Sequence, residues 1–581
     1  MPGTPITLNG GQTLLRLLQA EAVAAVYGVV GGKMAPLLQA LASSDLPYVG
    51  VRHEAAAPMM AAAVFASTGR MAVALGEMGP GALNLAAGTG VACNNHLALL
   101  LITTNQHRAA AYPHQGLFMD LDTQAVLAPL TKWRAVVNDA RRLPELVRTA
   151  FRQALSGRPG PVHLDIPHDV LAQVVTWPAG SLDLQPHQTR MMSGPRPAAA
   201  AVQGAADLLA GAQRPLIVAG GGVVHASADG LLRDVASLLH APVVPTQMAL
   251  GVVPGTHPAF IGHGGLIAGP AVRQAFEQAD VVLAVGCRFS SWMWDEQGPW
   301  VRPDQALVNI NIDPMALGQP APHAVALQAD ARLALIDLLA ALPAARPAGN
   351  VAWLASLRAT RQAHEARLAE MALAHHAPMH PAALAQAIGQ ALPPDALVVM
   401  DGGHTSFWSN DLTPVRRVRT HFHDPGMCQL GFGLPYALAL AHLHPAQPVV
   451  HITGDGAFGF TLQELDTARR YRLPVLTIVH NNAAWGVIRQ GQRKGHDFEF
   501  GTSLDGTDYA AIALGFGCHG EVVHDAHEIP AAIQRALASG LPAVIDARTR
   551  FEPHPCMPAF GSMNRYSFDS IAPATHPGDT P

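Results

Sequence analysis

The chain reads as an α/β protein made of three doubly wound parallel-sheet domains. Three observations predict this. Its 581 residues exceed what one core serves at roughly 100–200 residues per domain. Apolar runs of strand length, each ending in turn residues, alternate with helical patterns from end to end, as in successive βα units. That alternation breaks at two places, where Pro, Gly and polar residues accumulate.

The first domain spans 1–185 and carries the strand candidates "AAVYGVVGG", "LPYVGVRHEAAA", "MAVALGEMGPG", "HLALLLITTN" and "GPVHLDIP". "WPAGSLDLQPHQTRMMSGPRPAAA" then reads as a linker. The second domain, 196–345, holds "RPLIVAGGGVV", "APVVPTQMALG", "ADVVLAVGCRF" and "ALVNINIDP" and closes at "ALPAARPAGN". An Ala- and Arg-rich helical connector leads to the third, 376–548, with "DALVVMDGGH", "PVVHITGDG", "LPVLTIVHNN" and "PAVIDART". The tail, 549–581, is read as a lid over the active site or as a loose end.

Composition narrows the function. Hydrophobic residues make up 49 % and charged residues 14 %, enough for large cores, and the net charge of −5 comes without a basic block. Nucleic acid and membrane surfaces are therefore poor partners. The five cysteines form no CxxC pair, which argues against a disulfide framework. No basic-then-apolar leader opens the chain and no apolar run reaches the ~18 residues of a membrane span. The expected location is the cytoplasm.

The most informative stretch is "GDGAFGFTLQELDTARRYRLPVLTIVHNN", Gly454 to Asn482. "PVVHIT" reads as a doubly buried strand ending at Gly454-Asp455-Gly456. Thr461 and Glu464 are expected to form a capping box that starts a helix through "LQELDTARRY". "LPVLTIVH" is the next strand. The 24 residues between GDG and NN suit one right-handed crossover between parallel strands. Asp455 and Asn482 should then meet at the carboxyl edge of the sheet, where open α/β sheets bind ligands. A carboxylate and an amide carbonyl are hard oxygen ligands suited to Mg²⁺, which is commonly shared with phosphates. Gly454 and Gly456 let the backbone approach an anion, and a helix begins just beyond.

With "YGVVGG", "RHEAAA", "GPGALN", "PLTKW", "GRPGPVHLDIP", "NINIDP" and "LGFGLPYALALA" beside GDG…NN, the sequence resembles thiamine-diphosphate (ThDP) enzymes of the acetolactate synthase, benzaldehyde lyase and oxalyl-CoA decarboxylase branch. The resemblance covers nearly the whole chain and implies pyrimidine-binding, central and diphosphate-binding domains in that order. It implies ThDP and Mg²⁺ as cofactors, a homodimer or homotetramer with active sites between subunits, and a 2-keto acid or acyl-CoA substrate.

By position, Glu54 matches the glutamate that activates the pyrimidine ring. Asp455, Asn482 and the Ala484 carbonyl match the metal ligands. Gly403, His404, Thr405, Gly454, Gly456 and Ala457 match diphosphate contacts, although the family often has Gln-His at 404–405. Leu430 matches the residue that holds the cofactor bent. Val30, Asn84, Trp485 and Gly486 are expected to line the cofactor. His114, Gln115, Phe118, Val487, Arg489 and Arg493 are substrate candidates; Arg489 and Arg493 share a helical face suited to an anion.

Some positions depart from acetolactate synthases. Val30-Gly31-Gly32 stands for Pro-Gly-Gly, Phe118-Met119-Asp120 for Phe-Gln-Glu, and His168 for a lysine. Gly491 replaces the acceptor-pocket tryptophan and Trp292 replaces a second arginine beyond Arg288. These departures weigh against acetolactate as the product and against FAD. The leading expectation is a 2-keto acid decarboxylase or carboligase giving a 2-hydroxyketone. The alternatives are an acyl-CoA decarboxylase or 2-hydroxyacyl-CoA lyase, and a non-catalytic regulatory subunit of the same fold.

Overall fold

The computed structural model describes residues 4–295, 298–343, 349–373, 377–495 and 498–557. Three parallel sheets follow one another along the chain. The first has six strands in the order Tyr48–Gly50, Val26–Gly28, Val73–Gly76, Leu100–Asn105, Val162–Pro167, Trp133–Val136. The second has five: Val243–Pro245, Pro215–Ala219, Val281–Val285, Ala306–Asn311, Val325–Gln328. The third has six: His421–Phe422, Leu397–Met400, Val449–Gly454, Val475–Asn481, Ala543–Arg548, His519–Val523.

The central strands are buried on both faces, as their unbroken apolar sequence requires. The strands Trp133–Val136, Val325–Gln328 and His519–Val523, by contrast, lie at sheet edges, are only partly buried and carry mixed sequences. The terminal pair Ile6–Asn9 and Val174–Trp177 forms a separate antiparallel ribbon that closes the first unit.

The first and third units share one continuous apolar core, whereas the second has its own. The helices Ala56–Thr68 and Gly433–Leu443 explain the shared core. Their sequences, "AAPMMAAAVFAST" and "GLPYALALAHL", are apolar all round rather than on one stripe. Such a helix needs cover on every side, and these two supply it for each other.

The polar side of this contact corrects one expectation. Thr461 and Glu464 form no capping box. The Thr461 hydroxyl donates to the Gly431 carbonyl (2.7 Å), and the crossover is three short pieces, Asp455–Phe458, Leu462–Glu464 and Leu465–Tyr471. Glu464 is fully buried and reaches into the first unit, accepting from the Arg52 and His53 amides (both 3.1 Å) and from the Thr467 hydroxyl (2.6 Å). Tyr471 Oη accepts from the Gly50 amide (2.7 Å), and Arg470 donates to the Gly50 carbonyl (2.7 Å). The segment leading to Glu54 is thus pinned from the third unit by main-chain bonds.

Replacing Glu464 with Ala strands several buried donors at once, so a loss of about 2–4 kcal/mol in unfolding free energy is expected. Urea denaturation of the purified variant checks this. A change below about 0.5 kcal/mol, the range of ordinary surface substitutions, would contradict the bridging role.

Candidate active site

The strands Val449–Gly454 and Val475–Asn481 pair in parallel, with Gly454 opposite His480. This register brings the turn after each strand to one edge. Asp455 is buried and accepts from the Gly456 amide (2.9 Å) and the Ala484 amide (3.3 Å). Burial pushes its carboxyl up to about 6 against the pull of these amides; a bound cation would reverse that direction.

The two asparagines differ. Asn481 donates to Asp546 (2.9 Å) and to the Thr507 carbonyl (3.0 Å), so it ties down the strand end. Asn482 Oδ1 is buried and has no hydrogen-bond partner. An orphaned carbonyl oxygen at the same sheet edge as a buried carboxylate is a donor set that fits a hard divalent cation. Ala483, next after Asn482, has φ +51°, a left-handed turn that brings the Ala484 amide to Asp455.

Glycines let neighbouring side chains pack close at this edge. A β-carbon at Gly456 would stand 2.5 Å from the Trp485 ring, one at Gly403 2.2 Å from Val487 Cγ2, and one at Gly486 2.7 Å from His404 Nδ1. Thr405 Oγ1 would stand 3.1 Å from a β-carbon at Gly454, so the helix Gly403–Leu412 starts beside the GDG turn. Its cap, Gly402, supplies no side-chain acceptor, leaving first-turn amides free for an anion. His404 Nε2 lies 3.0 Å from Gln490 Oε1, while its Nδ1 is buried and unpartnered. Ala457 is buried in the short helix behind Asp455. Leu430 is half-buried in the turn before Gly431.

Glu54 lies in the turn ahead of the helix Ala56–Thr68 and accepts from Asn84 Nδ2 (2.9 Å). Among the described residues, its hydrogen bond is to its own unit and not to Asp455 or Asn482 of the same chain.

Comparison with known proteins fits this geometry. Residues 8–126 match the thiamine pyrophosphate enzyme N-terminal TPP binding domain, 202–338 its central domain and 401–547 its C-terminal TPP binding domain. The acetolactate synthase isozyme 2 large subunit of Escherichia coli K12 is 30 % identical over 93 % of this chain and 95 % of its own length. A probable acetolactate synthase large subunit of Methanocaldococcus jannaschii is 28 % identical over 93 % and 91 %. The chain belongs to the thiamine pyrophosphate enzyme family.

In this thiamine pyrophosphate enzyme the substrate candidates fall into two groups. His114 Nδ1 lies 2.6 Å from Asp120 Oδ1, and the Gln115 amide donates to the same carboxylate (2.9 Å). Phe118, on this loop, is 82 % exposed, and Val30 is 61 % exposed. Arg489 and Arg493 do share a helix face, but Glu499 occupies it, with ion pairs of 2.7 and 2.6 Å. Both guanidiniums also pack over the Phe551 ring, at 5.5 and 5.3 Å.

Phe551 belongs to the tail, whose described part is docked rather than loose. Its ring stacks on His404 (5.2 Å, 21°). His554 packs edge-on to Trp408 and lies 3.3 Å from Asp411. The sequence reading missed Asp411. This largely covered carboxylate on the helix Gly403–Leu412 also meets His263 of the central unit (2.9 Å) and His364 of the connector (3.2 Å). Residues 558–581 lie outside the described residues, so the lid expectation for them is not addressed.

A cavity of about 490 Å³ lies elsewhere. It opens at the carboxyl edge of the central sheet, against Gly220, Gly286, Arg288, Asn311 and, from the first unit, His96 and Arg158.

The Asp411 cluster predicts a pH dependence. Burial raises the Asp411 carboxyl, but the three imidazoles hold it well below its ordinary 3.8. The hydrogen bond to Asp411 raises His364 from 6.5 to about 10. A raised histidine stabilises fully below its unfolded pKa, and the contribution is lost as pH rises through the folded one. Urea midpoints of the wild type should therefore fall between pH 6.5 and about 10, and Asp411→Asn should flatten that slope. Parallel slopes would contradict the cluster's role.

Proposed function

We propose that the protein is a Mg²⁺- and ThDP-dependent enzyme that makes or breaks a C–C bond next to a carbonyl, acting on a 2-keto acid as decarboxylase or carboligase. The observation that carries this reading is the unpartnered Asn482 Oδ1 at the same strand edge as buried Asp455. Asp455, Asn482 and the Ala484 carbonyl would hold the cation. The free first-turn amides of the helix Gly403–Leu412, beside the GDG turn, would hold the diphosphate. Trp485, Val487 and Leu430 would support the rings. Glu54 would hold a proton at the pyrimidine, with Asn84 fixing its carboxylate. ThDP supplies a thiazolium carbon that accepts the electrons of the breaking bond.

Because Glu54 bonds within its own unit, the reading pairs it with the diphosphate site of a second copy, which makes the working enzyme at least a homodimer. Relatives named acetolactate synthase large subunit support a keto-acid substrate. The commitment of Arg489 and Arg493 to Glu499 and Phe551 removes the basic helix as support for CoA.

One observation favours a second reading. The central cavity, with Arg158 and Arg288 on its wall, supports an anionic nucleotide ligand, either FAD or the nucleotide of a CoA thioester. A flavin spectrum in the purified protein would identify the first. Turnover that requires a CoA thioester would identify the second.

The test is product analysis with ThDP, Mg²⁺ and pyruvate. CO₂ release with a 2-hydroxyketone such as acetoin is expected; neither CO₂ nor a hydroxyketo product would contradict the keto-acid reading. Glu54→Gln should retain ThDP and lose turnover by orders of magnitude, and an unchanged rate would overturn its assignment. Asp455→Ala should release ThDP during gel filtration in Mg²⁺, whereas retention would contradict the cation site.

A further inference from the structure

A keto acid brings a carboxylate that must lose its water at the site, and an unpaired cation is the side chain that can receive it. The arginines nearest the reacting edges are engaged. Arg489 and Arg493 pair with Glu499, Arg108 with Asp169 at 2.9 Å and Arg52 with Asp466 at 3.7 Å. Lys33 differs. It is half-buried, and its ammonium donates to the neutral Gln106 Oε1 (3.0 Å). Among the described residues no carboxylate oxygen lies within ion-pair range of it.

Its position is built. Lys33 sits in the short turn Gly32–Met34 beyond the carboxyl end of the strand Val26–Gly28. Its amide donates to Glu77 Oε2 (3.0 Å), and Thr104 Oγ1 donates to the other oxygen of Glu77 (2.7 Å). The Lys33 partner is fixed as well: Gln106 is buried and donates through Nε2 to the Phe118 carbonyl (2.7 Å). The turn is tied to Glu54 through Gly81, where a β-carbon would stand 3.3 Å from Glu54 Oε1 and 3.4 Å from Glu77 Cβ. Val30 and Phe118, both exposed apolar side chains, flank the same edge. Burial, and after it the Lys33 charge, hold the nearby His168 below its ordinary pKa.

We infer that Lys33 is a specificity-determining residue that receives the carboxylate of the donor substrate, with Val30 and Phe118 against its apolar end. This rests on the reading of the site as a ThDP site. An ammonium with one neutral partner keeps two donors for an incoming anion. Glu77, itself held by Thr104, grips the turn through the Lys33 amide, so the side chain can change without dismantling the loop.

The experiment is calorimetric titration of the ThDP/Mg²⁺ holoenzyme with oxamate, an uncleavable keto-acid isostere, and with oxamide, its uncharged counterpart. Lys33→Met should weaken oxamate binding roughly ten- to a hundredfold, the worth of a charge-assisted hydrogen bond. Oxamide binding should stay level, and Lys33→Arg should restore part of the loss. Equal oxamate affinity in wild type and Lys33→Met, no oxamate binding by either, or equal losses for oxamate and oxamide would each overturn the inference. Pyruvate turnover by the wild type, measured alongside, reports separately on the keto-acid reading. Oxamate held through Lys33 without turnover would sink that reading alone.

Discussion

The parallel pairing of Val449–Gly454 with Val475–Asn481 is the constraint on which the site depends. The period-2 geometry of strands means that a slip of one residue would turn every side chain to the opposite face. With Gly454 set opposite His480, Asp455 and Asn482 leave their strands within one residue of the same height. Asn481 is spent on Asp546, which anchors the strand end and leaves Asn482 free to present its oxygen. The shared edge of Asp455 and Asn482 follows from that register, and the parallel pairing of Leu397–Met400 with Val449–Gly454 sets the helix Gly403–Leu412 beside it.

Around this edge the molecule spends polar groups on rigidity rather than on chemistry. Glu464 crosses to the Arg52 and His53 amides, so the unit carrying Glu54 is fixed by the crossover that begins at Asp455. Asp411 gathers histidines from the central unit, the connector and the tail onto the helix that opens beside the GDG turn. Phe551 then covers His404. Preorganised groups of this kind hold a site near its productive geometry without relying on loops.

Most of the fold was legible because buried parallel strands announce themselves as apolar runs. "LALLLITTN", "VVLAV" and "LPVLTIVHNN" each became a central strand. Trp133–Val136, Val325–Gln328 and His519–Val523 were not legible, because an edge strand is only partly buried and its sequence need not be apolar. The placing of Asp455 and Asn482 at one sheet edge was legible from the strand pattern and spacing. Glu464 did not: the T-x-x-E pattern favoured a local cap, and its true partners lie in the first unit. Arg489 and Arg493 were placed correctly on one face, but no local pattern announced Glu499 and Phe551 as its occupants. Asp411 and its histidines lie up to 291 positions apart, from His263 to His554, and only folding assembles them.

The most direct measurement of the central claim is calorimetric titration of the apo protein with ThDP, with and without Mg²⁺, for the wild type and Asn482→Leu. The account predicts strong Mg²⁺-dependent binding by the wild type and loss of that dependence in the variant, whose side chain matches in size but offers no oxygen. Binding that ignores Mg²⁺, or that survives unchanged in Asn482→Leu, would contradict it.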